Sequence, residues 1–453
     1  MASRQQQYAI TRSQHRYSTT GNGALAVKTR TQNRYQRERA AELDRRRRES
    51  SRRLSVAASR NRKQKPKAKR GGVTAEQAGF HDYSLIFIVL FLLAFGLVML
   101  YSTSSYEAAL KYGDSAFYLK KQLLATLIGL VGMVITAFFP YTVWRKLAWP
   151  AFGVAAALIV AIIPFGTEAG GAKRWIYFGP VSVQPAEIAK VAIIMATALL
   201  IEKVGRKIRT WKWMIAVMIP SGIIGVMLWK ITNNLSSAIV VMAIAAVMVF
   251  VASPDYKRFV FMGVLVVGAA ALWIFITIQR AKDPAAMAGL DFRGSRILAW
   301  LDPQSYASDT AFQTLQALYA IGSGGVFGKG LGQSMQKLGY IPEAQNDMIF
   351  SIVCEELGLF GAICIILMFV MLIWRFMIIA NNCEDLYGAL LVVGVMGHFA
   401  VQVILNIAVV TNTIPNTGVT LPFISYGGTS VLFLLVEVGL VLSVARGIRL
   451  REI

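Results

Sequence analysis

The chain has 453 residues, 55% of them hydrophobic and only 16% charged, with a mean hydropathy of +0.52. Those values exclude an ordinary soluble globular domain and point to a polytopic membrane protein. The net charge of +23 suggests nucleic acid until it is located: residues 1–80 hold 21 Lys and Arg against 5 Asp and Glu, or +16, and the rest of the chain carries only +7.

That basic segment comes first. It includes Arg45 to Arg48 and the run KQKPKAKR, and its polar, aromatic-poor composition predicts a disordered cytoplasmic tail. Clustered Lys and Arg beside a first membrane helix suit anionic lipid or a cytoplasmic protein partner, and no nucleic acid is expected. No apolar stretch lies near Met1, so no cleavable signal peptide is expected.

Ten apolar runs follow, near 84–103, 122–139, 146–164, 186–202, 212–229, 236–252, 258–278, 347–372, 388–410 and 429–446. Each is close to the roughly 20 residues that a transmembrane helix needs. In lipid every backbone polar group must be satisfied within the protein, so runs of this length mean helices. The predicted fold is therefore an all-α polytopic membrane protein, with a ten-helix domain over 81–453. Its termini are expected to be cytoplasmic, because the positive-inside rule matches the positions of Arg145, Lys146, the 203–212 cluster, Lys257, Arg258, Arg375, Arg446, Arg449 and Arg451. The loop at 411–428 has no charged residue. The long loop at about 279–346, before the eighth helix, then faces outward.

Familiar catalytic sets are missing. Cys354, Cys364 and Cys383 have no disulfide framework spacing, and His15, His81 and His398 form no zinc motif. There is no P-loop, so ATP-driven transport by this chain is not expected. Polar groups inside the apolar runs are what remain, and these usually face a cavity or a partner. Glu187 and Lys190 are three residues apart on one helical face, as a structural ion pair or a functional one. Glu437 has no local partner and reads as structural.

Two loop segments carry polar chemistry. GAKRWIYFGPVSVQPAE brings Lys173, Arg174, Trp175, Tyr177 and Gln184 to the outer face. IGSGGVFGKGLGQSMQK has six glycines from Gly322 to Gly332, with Lys329 and Lys337. Such glycines permit close approach to an anionic ligand, or mark a bent, re-entrant loop. The run leads into IPEAQNDMIFSIVCEEL, which sets Asp347 at the junction of loop and membrane. Glu356 is turned roughly 180° from Asp347 on a helix and Glu355 about 80°, so Glu355 is the acid expected to look into the same space.

GAKRW with QPAEIAK, ALYAIGSGGVFGKGLGQS, YIPEAQNDMIFSIVCEELG and GVTLPFISYGGTS, in that order, resemble the signature segments of the SEDS family (shape, elongation, division and sporulation), which includes FtsW and RodA. The resemblance covers about 84–450. It implies a peptidoglycan glycosyltransferase that polymerises lipid II at the outer face of a bacterial cytoplasmic membrane. It also implies a class B penicillin-binding protein and division-complex proteins as partners. Asp347 maps to the family's essential acid, Trp175 to the Trp of its GA-RW motif, and Glu187 and Lys190 to its QPSE-x-x-K motif. Lys173, Arg174, Trp175, Gln184, Glu187, Lys190, Lys329, Glu343, Glu355 and Ser425 are the candidate substrate-binding residues. The chain departs from the family at Gln345 and Asn346, where His-Thr is common, at Ala186 for Ser, and at Asn234 for Asp. GLVMLYSTS and TLPFISYGGTS resemble division or sporulation members more than elongation ones, which implies a place at the septum.

The implied chemistry suits the residues. The donor linkage is α and the product β-1,4, so a single inverting displacement suffices. One general base then takes the acceptor proton while undecaprenyl pyrophosphate leaves. Asp347 is the expected base, with burial raising its pKa from about 3.9. The leaving charge calls for Lys or Arg, or a divalent cation such as Mg or Mn. Arg174, Lys190, Arg293, Arg296 and Lys329 are the candidates. The rival readings are a lipid II flippase and a non-catalytic scaffold.

Overall fold

The structure is a computed structural model that describes residues 82–169, 172–178, 181–253, 255–281, 292–306 and 311–448. The basic tail at 1–80, Arg449, Arg451 and the side chain of Arg293 lie outside the described residues. Every apolar run forms a helix: α1 (Tyr83–Tyr112), α2 (Phe117–Phe138), α3 (Tyr141–Phe165), α4 (Pro185–Val204), α5 (Trp211–Lys230), α6 (Leu235–Ala252) and α7 (Tyr256–Ala281). Two shorter helices, α8 (Phe292–Leu301) and α9 (Phe312–Gly324), occupy the long predicted loop. The chain then continues with α10 (Ile349–Asn382), α11 (Leu386–Val410) and α12 (Gly428–Arg446).

Among the described residues, nine helices are long and apolar enough to cross a membrane, and the chain is a multi-pass membrane protein. Helix α4 is of spanning length but carries Glu187, Lys190, Glu202 and Lys203. It packs against α3, α5, α6 and α11, so Glu187 and Lys190 are enclosed by protein, while Lys203 at its end is exposed. Helix α7 is its opposite. Thr277 is its one buried residue, and apolar side chains such as Val264, Val266 and Val267 point outward.

Local signals start several helices. Asp82, Asn234 and Asp385 accept the N–H groups of Leu85, Ser237 and Gly388, each at 3.0 Å, and so satisfy otherwise orphaned donors. Asp82 also takes Arg375 of α10 at 2.7 Å, which joins the start of α1 to the far half of α10. Helices α2 and α12 pack closely at small residues, as membrane helices do. A Cβ at Gly439 would lie 2.5 Å from the Met133 carbonyl oxygen, so their backbones nearly touch.

The all-α expectation misses one element. Residues 167–183 form a three-stranded antiparallel sheet of β1 (Thr167–Ala169), β2 (Ala172–Phe178) and β3 (Val181–Val183), in the order β1–β2–β3. In β2 the side chains fall on opposite faces in turn, so that Ile176 is buried while Lys173 and Tyr177 are exposed. A segment of this length, too polar to span, satisfies its backbone by folding on itself.

Candidate functional site

Asp347 stands just before α10, outside the spanning helices, at the end of a turn-rich stretch. Glu343 adopts a left-handed conformation (φ +49°). Its carbonyl accepts Asn346 N–H at 2.9 Å and its carboxylate accepts the Asn346 amide at 2.9 Å, so PEAQN closes on itself and presents Asp347. The Asp347 side chain keeps partial surface exposure, with protein crowding its other sides.

Residues distant in sequence converge on it. Gln313 of α9 donates its amide to Pro342 O at 3.1 Å and to Asp347 Oδ1 at 3.4 Å. The Gln313 carbonyl accepts the Asn416 amide at 3.1 Å, and Arg296 of α8 donates to Asn416 O at 3.0 Å. Arg174 of β2 donates to Asn233 O at 3.2 Å, beside the start of α6, where Ser236 Oγ donates to Thr417 O. Segments distant in sequence thus meet in one hydrogen-bonded network.

The electrostatics favour a proton acceptor. Burial pushes the Asp347 carboxyl up from 3.8 to about 6, and the Glu343 charge adds to the rise. Its own backbone N–H, Arg296 and Gln313 pull the other way. Burial also lowers the basicity of Arg296, the charge of Arg174 lowers it further, and Asp347 opposes both. Two guanidiniums and one carboxylate therefore feel one another across this site.

Glu355 does not share that space, contrary to expectation. It is fully buried, accepts Lys329 Nζ at 2.7 Å, Ser323 Oγ at 3.3 Å and Met335 N–H at 3.2 Å, and also takes Ser334 Oγ. Eight residues at about 1.5 Å each carry it roughly 12 Å along the helix from Asp347, which the angular reading left out. Glu356 is held by Lys337 Nζ and Ser102 Oγ, each at 2.8 Å.

The glycine run is explained by the same contact. Helix α10 breaks at Gly358 (φ 67°, ψ −168°). The carbonyls of Glu355 and Glu356 accept Lys329 N–H at 3.0 Å and Gly330 N–H at 2.9 Å, while Leu359 and Phe360 N–H donate to Gly325 O and Val326 O. The loop is inserted into the break. A Cβ at Gly328 would sit 2.2 Å from Glu356 O, and one at Gly358 would sit 2.3 Å from Gly328 N. These two glycines therefore serve backbone-to-backbone packing, and Lys329 is committed to Glu355.

The remaining predicted residues are dispersed. Glu187 and Lys190 form a buried pair at 2.8 Å. Ser425 is buried, its hydroxyl accepting Leu421 N–H at 2.8 Å, so it shapes its own turn. Lys173 is exposed, while Trp175 and Gln184 are half-buried. Glu437 finds a partner across helices: His398 Nδ1 lies 2.8 Å from its carboxylate, and both are buried. Among the described residues, His, Cys, Asp and Glu side chains nowhere gather in threes that could hold a metal ion. Sequence reading missed Gln313, Asn406 and Asn416. Asn406, an uncharged amide inside an apolar run, was the one with a visible signal.

The family model for FtsW, RodA and SpoVE, described as "Cell cycle protein", matches residues 83–449. The chain belongs to this family. It is 37% identical to the "Probable peptidoglycan glycosyltransferase FtsW" of Trichlorobacter lovleyi, over 82% of this chain and 94% of that one. It is also 37% identical to the stage V sporulation protein E of Bacillus subtilis, over 81% and 97%. Among solved structures, a chain from a peptidoglycan synthase complex described as coordinating polymerisation and crosslinking matches with a TM-score of 0.64 and 28% identity, covering 81% of this chain and 98% of that one. The rod shape determining protein RodA of Thermus thermophilus, in a form with one Asp replaced by Ala, matches at 0.56 and 26% identity, over 82% and 99%.

Proposed function

We infer that this protein is a peptidoglycan glycosyltransferase of the cell-division or sporulation branch, polymerising lipid II with Asp347 as general base. The observation that carries the reading is the network around Asp347: a partly exposed carboxylate with a pKa raised to about 6, tied by Gln313 to a connection that Arg296 also holds. A base must be near its operating pH to accept a proton effectively, and the raised value moves Asp347 toward that range. It would take the proton of the acceptor's 4-hydroxyl as that oxygen bonds to the donor's anomeric carbon. In the same displacement the carbon–oxygen bond to undecaprenyl pyrophosphate breaks, and the leaving group keeps the electron pair. Arg174 and Arg296, which belong to the same network, would meet that charge. The described residues do not offer a divalent cation a ligand set, so no step is assigned to one.

The distribution of Lys and Arg supports cytoplasmic termini, with Asp347 on the outer side. The synthase-complex relative supports a class B penicillin-binding protein as partner, with other division proteins at the septum. The test is Asp347→Asn in proteoliposomes supplied with lipid II and that partner. Glycan polymer should disappear while the protein remains folded. Wild-type chain lengths from the variant would end the reading. Movement of labelled lipid between leaflets without polymer would establish a flippase instead.

A further inference from the structure

Asn406 lies near the end of α11 with no exposed surface, and its amide directs both hydrogens at backbone carbonyls. One goes to Asp347 O at 2.8 Å and the other to Val419 O at 2.8 Å. In a regular helix the Asp347 carbonyl would receive Ser351 N–H, but that donor goes to Met348 O at 3.0 Å. The first turn of α10 thus leaves the Asp347 carbonyl to Asn406. The second bond ends beside Gly418, where a Cβ would lie 3.9 Å from Asp347 Oδ2. Asn416, two residues earlier, accepts Gly418 N–H at 3.0 Å and holds Gln313, which reaches the carboxylate itself. The backbone of Asp347 and its carboxylate are therefore both referenced to the 416–419 stretch.

We propose that Asn406 is a positioning residue for Asp347, setting the direction of its carboxylate by fixing its main chain against Val419; this rests on the reading of Asp347 as the base. Removing the amide leaves a buried carbonyl without a donor and frees the loop-to-helix junction to rotate. A displacement of about 1 Å at a reacting group can cost on the order of 100-fold in rate. Gln402 supplies an internal control. It stands one turn earlier on the same face of α11 and donates to Thr420 O at 3.0 Å and Thr420 Oγ1 at 3.2 Å, so it holds the same connection without reaching residue 347.

The experiment measures lipid II polymerisation by the full chain with its penicillin-binding partner in proteoliposomes, comparing Asn406→Asp, Asn406→Ala, Gln402→Leu and Asp347→Asn. Asn406→Asp keeps the shape and loses both donors. It and Asn406→Ala should lower kcat about 10- to 100-fold with KM for lipid II within about threefold, whereas Gln402→Leu should keep kcat within about threefold. If Asn406→Asp fails to fold, Asn406→Ser, which keeps one donor, is read in its place and should retain more activity than Asn406→Ala. A kcat within about threefold of wild type in the Asn406 variants overturns the proposal, as does a rise in KM alone or an equal loss in Gln402→Leu. Activity in Asp347→Asn sinks the base assignment itself. A silent Asp347→Asn beside a fully active Asn406→Asp sinks only the positioning role.

Discussion

Asp347 and the Glu355–Glu356 pair lie within ten residues of one another and have opposite environments. Glu355 is saturated by Lys329, two serines and two backbone N–H groups, and Glu356 by Lys337 and Ser102, and both carboxylates are fully buried. The Asp347 carboxylate has one long bond from the neutral Gln313 amide and is also stabilised by its own backbone N–H, while Arg296 and Arg174 donate to the nearby carbonyls of Asn416 and Asn233. A carboxylate with fully satisfied oxygens is a structural tie. One that is surrounded by protein yet only lightly satisfied is available to accept a proton. Environment, and not residue type, separates the two roles.

Five measurements bear on that contrast. The largest effect is expected from Asp347→Asn, which should reduce polymerisation by about 10²- to 10⁴-fold, the usual contribution of a general base. Glu356→Gln should act on the fold instead. It leaves the Lys337 ammonium buried without its counterion, a loss of roughly 3–5 kcal/mol seen as a lower melting temperature in detergent. The folded fraction should polymerise at the wild-type rate, and a specific loss of turnover would erase the distinction drawn above.

Gly328→Ala should destabilise by more than about 1 kcal/mol, since φ is +79° and the new methyl meets the Glu356 carbonyl. Wild-type melting behaviour in that variant would show that the loop is not inserted as described. The smallest effects concern pH. The rate should rise through about pH 6 as Asp347 ionises, and Gln313→Leu should move that limb upward, because Gln313 favours the charged form. Stability runs the other way. The folded Asp347 carboxyl, at about 6, holds its proton more tightly than an unfolded one at 3.8, so this residue's contribution is full below the unfolded value and is lost as pH rises through about 6. Melting of wild type minus Asp347→Asn across pH 4–8 would read it.

The spanning helices were legible because hydrophobic run length is a local property that lipid enforces. The predicted 212–229 became 211–230, and 388–410 became 386–410. The candidate site was legible only in part. Asp347 announced itself as an acid at a loop-to-membrane junction, whereas Arg174 and Arg296 stood unranked beside Lys190, Arg293 and Lys329 as candidate cations. Their mutual arrangement was not visible, because Gln313, Asn406 and Asn416 reach the site from α9, α11 and the loop that follows α11. The angular reading of Glu355 failed because it counted rotation and not rise.

The sequence alone therefore determined the environment, the spanning helices and the acid at the membrane boundary. All three follow from composition and patterning along the chain. Only the tertiary structure decided which carboxylate stays available and which become ties. That depends on backbone carbonyls, amides and lysines supplied from tens to hundreds of residues away. The glycines from Gly322 to Gly332 show the same division: their number was plain in the sequence, but the helix break that Gly328 fills exists only once α10 has formed around Gly358.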